Sequence, residues 1–112
     1  MIVYHEPFPT SYLLALASSA AATTEADLAA HLARACRSGK PAVLVDCRLL
    51  DTLSATAAWL LWACHQCLHR RRARLVLCQV SPAVEQDLRH ALAGTGGSLL
   101  MVPTLDDAAA LA

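Results

Sequence analysis

Two apolar runs separated by a segment with helical spacing place the strongest constraint on how this chain folds. Ala42–Val45 and Arg74–Cys78 contain no polar residue except Arg74, a pattern typical of strands that are covered on both faces of a parallel sheet. The helix predicted between them, Ala55–Arg70, carries an apolar stripe formed by Ala57, Leu60, Leu61, Cys64 and Leu68. This order predicts a crossover connection between two parallel strands.

The flanking segments continue the alternation. On the N-terminal side we expect strands over Ile2–Tyr4 and Tyr12–Leu16, then a helix over Thr24–Arg37 capped by Thr23 or Thr24. On the C-terminal side we expect a helix from Pro82 to about Ala93 capped by Ser81, a strand over Ser98–Val102, and a short helix capped by Thr104. The predicted order is β-β-α-β-α-β-α-β-α, which indicates one α/β domain over residues 1–112 with a mainly parallel sheet.

Composition excludes several classes of protein. The chain has 112 residues, 56% of them hydrophobic, so it can bury enough apolar surface to fold. Its formal net charge is zero, which provides no general attraction to nucleic acid or to anionic membranes. No apolar run reaches the length of a spanning helix, and the stretch Ser11–Ala22 lacks the basic flank of a signal peptide. The odd count of five cysteines is consistent with a reducing compartment, and we expect the protein to be cytoplasmic.

The region from Pro41 to Val84 holds a recognisable series of features. Its first strand ends at Asp46, and eight residues later comes the loop Ser54-Ala55-Thr56-Ala57. The predicted helix follows, and then the basic run Arg70-Arg71-Arg72-Ala73-Arg74, the second strand, and the helix start Ser81-Pro82. This series resembles the STAS family, which is named for sulfate transporters and anti-sigma factor antagonists. Ser54 stands where the family usually has Asp, and Ala57 stands where it usually has Gly.

The resemblance implies a small mixed sheet, with helices packed mostly on one face, and a regulatory function. It implies a protein-binding module like an anti-sigma factor antagonist, with an anti-sigma factor or a serine/threonine kinase of the switch type as its partner. In the family the second hydroxyl of the loop is a phosphoacceptor, which in the ungapped register is Thr56, with Ser54 as the second choice. A shifted register would instead place Asp51 and Thr52 at the loop. The predicted partner-binding residues are Thr52, Leu53, Ser54, Ala55, Thr56, Ala57 and Trp59.

The physics of a helix N-terminus supports a switch at this loop independently of the family. A phosphate adds nearly two negative charges, and the positive end of a helix accommodates them, so the fold survives. A partner that buries the same surface does not tolerate that charge. A structural alternative stays open, in which Ser54 and Thr56 act only as helix caps.

Other motifs are assigned to structure rather than to chemistry. Cys64 and Cys67 lie inside the predicted helix and not at its start, so packing is favoured over a metal or redox role. The basic run is assigned to a solvated helix end rather than to nucleic-acid binding, and Gly94–Gly97 is assigned to a turn. Trp59 and Trp62 are either core residues or partner anchors.

No catalytic pattern is present, and we expect neither an enzyme nor a cofactor or metal. The five histidines are scattered along the chain. An alternative function is a non-phosphorylated STAS subunit of a membrane transport complex, without direct membrane insertion. A small enzyme or nucleotide-binding protein is a third class, and it would need a pocket of converging polar groups. The sequence leaves the oligomeric state open.

Overall fold

A five-stranded sheet with strand order β1-β2-β3-β4-β5 forms the centre of the fold. The computed structural model describes residues 1–18 and 25–111. Its strands are β1 (Ile2–Pro7), β2 (Ser11–Ala17), β3 (Ala42–Leu49), β4 (Arg74–Cys78) and β5 (Leu100–Val102), and its helices are α1 (Ala26–Arg37), α2 (Ala55–Arg70), α3 (Pro82–Ala91) and α4 (Leu105–Ala110). The predicted order of elements is confirmed.

The sheet is mixed but mainly parallel, as predicted. β1 and β2 form an antiparallel hairpin, and the pairs β2–β3, β3–β4 and β4–β5 are parallel. Because parallel crossovers are right-handed and the strands follow one another in sequence, the connecting helices fall on the same face. We call the edge of the sheet where β2, β3 and β4 end the carboxyl edge. The chain enters each connecting helix from this edge.

The two faces of the sheet have cores of unequal size. Val43 and Val45 face the larger core, which also holds buried side chains of α1, α2 and α3. Ala42 and Leu44 alternate with them and face a smaller core, to which α4 contributes Ala108. Three of the four helices therefore pack on one face, which confirms the predicted arrangement.

Strand boundaries differ from the sequence-based expectations where pairing decides them. β3 was expected to end at Asp46, but it continues to Leu49 because β2 supplies a partner there, with Leu49 opposite Ala17 after a register shift. β1 extends from the expected Tyr4 to Pro7, which an edge strand tolerates. β5 covers Leu100–Val102 rather than Ser98–Val102, and it pairs with Val76–Cys78 of β4.

Helix ends follow the capping residues closely. Ser81 and Thr104 cap α3 and α4, as predicted, and their side chains accept hydrogen bonds from the backbone N–H groups three residues on. α3 ends at Ala91 rather than near Ala93, and a short 3-10 turn follows over Ala93–Thr95. The expected caps Thr23 and Thr24 of α1 lie outside the described residues. Within residues 1–18 and 25–111, no helix has the length and apolar character needed to cross a bilayer.

Candidate functional site

The first turn of α2 lies at the carboxyl edge, directly after the loop that follows β3. Ser54 is the N-cap of this helix, and its Oγ accepts a hydrogen bond from Ala57 N at 3.1 Å. A capping hydroxyl satisfies one of the backbone N–H groups that have no partner within the helix. The helix therefore begins where the sequence predicted.

The Ser54 hydroxyl also connects two helices. Its Oγ donates to Glu25 Oε1 at 2.8 Å, and Glu25 is the residue that precedes α1. The hydroxyl proton thus points to a carboxylate of the same chain, while the oxygen accepts from Ala57. Both hydrogen-bonding functions of Ser54 are used within the domain.

Two further side chains hold the loop before α2. Ser18 Oγ accepts from Asp51 N at 2.9 Å, and Asp87 Oδ2, from α3, accepts from Leu53 N at 2.9 Å. The loop is consequently tied at Asp51 to the residue that follows β2 and at Leu53 to α3. Such a loop presents a surface that is ordered before any partner arrives, which lowers the entropy cost of binding.

Thr56 occupies the second position of the helix and is exposed. Within the part of the chain that the structure describes, its hydroxyl makes no hydrogen bond. Trp59 follows one helical turn later, with 47% of its surface exposed. Residues three apart lie on the same side of a helix, so an exposed hydroxyl and an exposed indole form one surface.

The other predicted partner-binding residues divide into two groups. Thr52, Ser54 and Ala55 are exposed with Thr56 and Trp59, whereas Leu53 and Ala57 are buried, at 6% and 0% exposure. Leu53 and Ala57 pack into the larger core and support the loop from beneath. A macromolecule at this site would therefore meet the exposed group, which we call the α2 tip: Thr52, Ser54, Ala55, Thr56 and Trp59.

Charge is distributed unevenly around the carboxyl edge. α1 has Asp27 in its first turn and α3 has Glu85, whereas the first turn of α2 has no acidic residue. All three helices have basic residues in their last turn, at the opposite edge. A carboxylate in the first turn offsets the positive end of the helix dipole. The first turn of α2 has no acidic residue of its own, and the carboxylate at its start is that of Glu25, which accepts from the cap Ser54.

In each of the two pairs that α2 carries, the two cysteines and the two tryptophans, one side chain is buried or partly buried and the other is exposed. Cys64 is buried in the larger core, whereas Cys67 is exposed. Trp62 is partly buried against the larger core, while Trp59 is turned outward. Within the described ranges, no group of three or more His, Cys, Asp or Glu side chains is arranged to hold a metal ion.

The basic run after α2 makes contacts to backbone carbonyls. Arg71 donates to Lys40 O at 2.9 Å and to Cys36 O at 3.3 Å. Arg74 donates to Leu111 O at 3.4 Å. Cations near helix C-termini favourably oppose the negative end of the dipole, so part of this run has a structural role.

Sequence reasoning missed the residues that hold the site in place. Ser18, Glu25 and Asp87 lie about 30 residues from their partners along the chain. Each is an ordinary surface residue in its local context. No periodicity or spacing signals these contacts, because they form only when β2, α1 and α3 are packed around α2.

The fold and the site together define a class: a small α/β domain with sequentially ordered strands and a hydroxyl-rich helix start at the carboxyl edge. The STAS domain family model matches residues 8–108, and the chain belongs to the STAS family. No curated protein sequence matches significantly.

Several solved structures share this fold. A serine-to-glutamate variant of RsbS from Moorella thermoacetica is 12% identical, covering 97% of this chain and 92% of that one with a TM-score of 0.79. An anti-sigma factor antagonist from Mycobacterium paratuberculosis is 19% identical over 98% and 92%, with a TM-score of 0.79. The unphosphorylated anti-sigma factor antagonist SpoIIAA is 13% identical over 97% and 94%, with a TM-score of 0.74.

Proposed function

We propose that this protein is a regulatory binding domain, over residues 1–112, that acts like an anti-sigma factor antagonist. Its partner is an anti-sigma factor or a serine/threonine kinase of the switch type, and the partner binds at the α2 tip. Membership in the STAS family supports this proposal. So do the similar structures, which include an anti-sigma factor antagonist in its unphosphorylated form.

Thr56 is the phosphoacceptor in this proposal, and one observation favours it over Ser54. The Ser54 hydroxyl donates to Glu25 and accepts from Ala57 N, so phosphorylation of its oxygen would remove the proton donated to Glu25 and disturb the cap. The Thr56 hydroxyl is exposed and makes no hydrogen bond to the described residues. Phosphorylation of Thr56 requires no rearrangement of the cap.

A phosphate on Thr56 changes binding without unfolding the domain. It would stand at a helix N-terminus whose first turn has no acidic residue, where added negative charge is favourable. At the surface of a bound partner, the same charge would be buried without a counter-ion, which is costly. Phosphorylation would therefore leave the domain folded, because the helix end stabilises the charge, and would release the partner, because the interface does not.

Phosphorylation is tested with the cognate kinase and ATP, followed by mass spectrometry. Thr56 and Ser54 lie on one tryptic peptide, Leu49–Arg70, so fragmentation must locate the phosphate. We expect it on Thr56 in the wild type and none in Thr56→Ala, while Ser54→Ala remains a substrate. A phosphate found only on Ser54, or none on the peptide, would contradict the assignment.

Binding is tested with the kinase or anti-sigma factor by calorimetry. Thr56→Glu should weaken binding at least about tenfold, whereas the neutral variant Thr56→Gln should weaken it less, because charge is the decisive change. Trp59→Ala should also weaken binding, since exposed aromatic residues are frequent anchors. Leu100→Ala is the matched control, because Leu100 is 42% exposed on β5. Equal binding by all four variants would refute the site.

A further inference from the structure

Three of the five cysteines come together where α1 runs beside α2. Cys36, near the end of α1, has its Sγ 3.1 Å from the Sγ of Cys64 in α2, although the two residues are 28 positions apart. Cys67 follows Cys64 by one helical turn and interacts electrostatically with Cys36. Apolar periodicity accounts for Cys64, which belongs to the apolar stripe of α2, but not for this meeting of thiols.

The three thiols differ in their access to solvent. Cys67 is exposed, Cys36 is partly buried, and Cys64 is only 5% exposed. A groove of about 330 Å³ between the helices is lined by all three, and by small apolar side chains that include Ala29, Ala33 and Ala63. A small reagent can therefore reach Cys36 from the groove, with Cys64 in contact behind it.

We propose that Cys36 and Cys64 form a reversible disulfide between α1 and α2 when the protein meets a low-molecular-weight disulfide such as oxidised glutathione. A disulfide bond is about 2.0 Å long, so the two sulfur atoms need to approach by only about 1 Å. The packed helices already hold the sulfur atoms together, and side-chain rotation supplies the remaining movement.

The exchange proceeds in two steps. The Cys36 thiolate attacks one sulfur of the small disulfide, which forms a mixed disulfide and releases one small thiol. The Cys64 sulfur then attacks the Cys36 sulfur and displaces the second small thiol. The two protein thiols are oxidised, the small disulfide is reduced to two thiols, and the protons from Cys36 and Cys64 pass to those leaving groups.

The surroundings of the thiols set the rate of this exchange. Burial raises the pKa of the Cys36 thiol and Cys67 raises it further, against the opposing effects of the hydrogen bond with Cys64 and of the Arg71 guanidinium. Burial also raises the pKa of the Cys64 thiol, and its contact with Cys36 adds to this. Because the thiolate is the nucleophile, the exchange should be slow at neutral pH and faster in mildly alkaline solution.

The experiment treats the purified full chain with oxidised glutathione and measures free thiols, intact mass and non-reduced tryptic peptides. We expect the loss of two thiols and of two hydrogen atoms in mass. Peptide Ala35–Arg37 should be linked to peptide Leu49–Arg70. Reduction should restore all five thiols, and the melting temperature should be higher in the oxidised form, because a cross-link restricts the unfolded chain.

Single variants distinguish the proposed pair from its neighbours. Cys67→Ser should retain the linkage, whereas Cys36→Ser and Cys64→Ala should each abolish it. Cys36 is partly exposed, so Cys36→Ser keeps the test valid if the core variant Cys64→Ala does not fold. A linkage that depends on Cys67, a mixed disulfide that does not resolve, a bond between two chains, or no loss of thiols would each overturn the proposal.

Discussion

The indole of Trp62 lies against Gly97, in the space that a side chain at residue 97 would occupy. A Cβ atom built on Gly97 would meet the six-membered ring of Trp62. The contact joins α2 to the segment before β5. Gly97 is thus required by a close approach and not by its backbone conformation.

Gly97→Ala should therefore destabilise the protein by about 1–3 kcal/mol, because overpacking forces either the ring or the backbone to move. Gly94→Ala is the matched control, since a Cβ at Gly94 meets nothing within 4 Å. Urea unfolding measures both free energies, and tryptophan fluorescence of the folded state reports displacement of the indole. Equal stability of the two variants would show that the Trp62 ring moves aside freely.

Removing the cap of α2 should cost about 1 kcal/mol of unfolding free energy in Ser54→Ala, because Ala57 N loses its partner. Ser81→Ala is a matched variant, since Ser81 caps α3 through Val84 N at 3.2 Å. Chemical denaturation of both should give losses of similar size. A Ser54→Ala protein as stable as the wild type would mean that water replaces the cap without cost.

Negative charge at residue 56 should stabilise the isolated domain. Thr56→Glu should raise the unfolding free energy by about 0.3–1 kcal/mol at low salt, since the first turn of α2 has no acidic residue. Thr56→Gln should lack this gain, and added salt should reduce the difference between the variants. Urea unfolding at low and high salt measures it. A destabilised Thr56→Glu would remove the physical basis for a phosphate that leaves the fold intact.

Stability should fall as the pH falls below the ordinary pKa of histidine, about 6.5. Burial lowers the pKa of His31, and nearby His5 and Arg34 lower it further, while Asp27 opposes them. The rings of His5 and His31 are 5.1 Å apart. A group whose pKa is lower in the folded state binds its proton more weakly there, so its contribution is complete above the unfolded pKa and is lost on acidification.

His31→Gln should weaken that pH dependence. The measurement is the urea midpoint of wild type and variant from mildly alkaline to mildly acidic pH, where we expect the wild type to lose more stability than the variant. His90→Gln, at an exposed position of α3, is the control and should follow the wild type. Parallel curves for wild type and His31→Gln would exclude His31 as the source.

The sequence predicted the elements of the fold well, because their signals are local. Ser54 and Ser81 are followed at helical spacing by apolar residues, so both helix starts were predicted correctly. The end of β3 was not, because nothing in the residues after Asp46 shows that β2 will pair with them. Strand length depends on a neighbour, whereas a helix cap depends on residues three positions away.

The candidate site was likewise predicted only in its local features, and not in those that depend on distant residues. The sequence predicts that the site lies at the start of α2, and it predicts two candidate phosphoacceptor hydroxyls there. The family resemblance also favours Thr56, but the structural reason to prefer it does not follow from the sequence, because that reason rests on a hydrogen bond from Ser54 to Glu25, 29 residues earlier. The contact between Cys36 and Cys64 was missed for the same reason.

In this electrically neutral chain, the charged side chains of the connecting helices are ordered along the helix axes. Carboxylates begin α1 and α3, and basic side chains end α1, α2 and α3, so side-chain charges of opposite sign stand at opposite edges of the sheet although the formal net charge is zero. These charges oppose the helix dipoles, whose positive ends lie at the carboxyl edge, so the two fields partly cancel at a distance from the molecule. A partner would therefore be oriented at the α2 tip by contacts at short range more than by steering before the encounter.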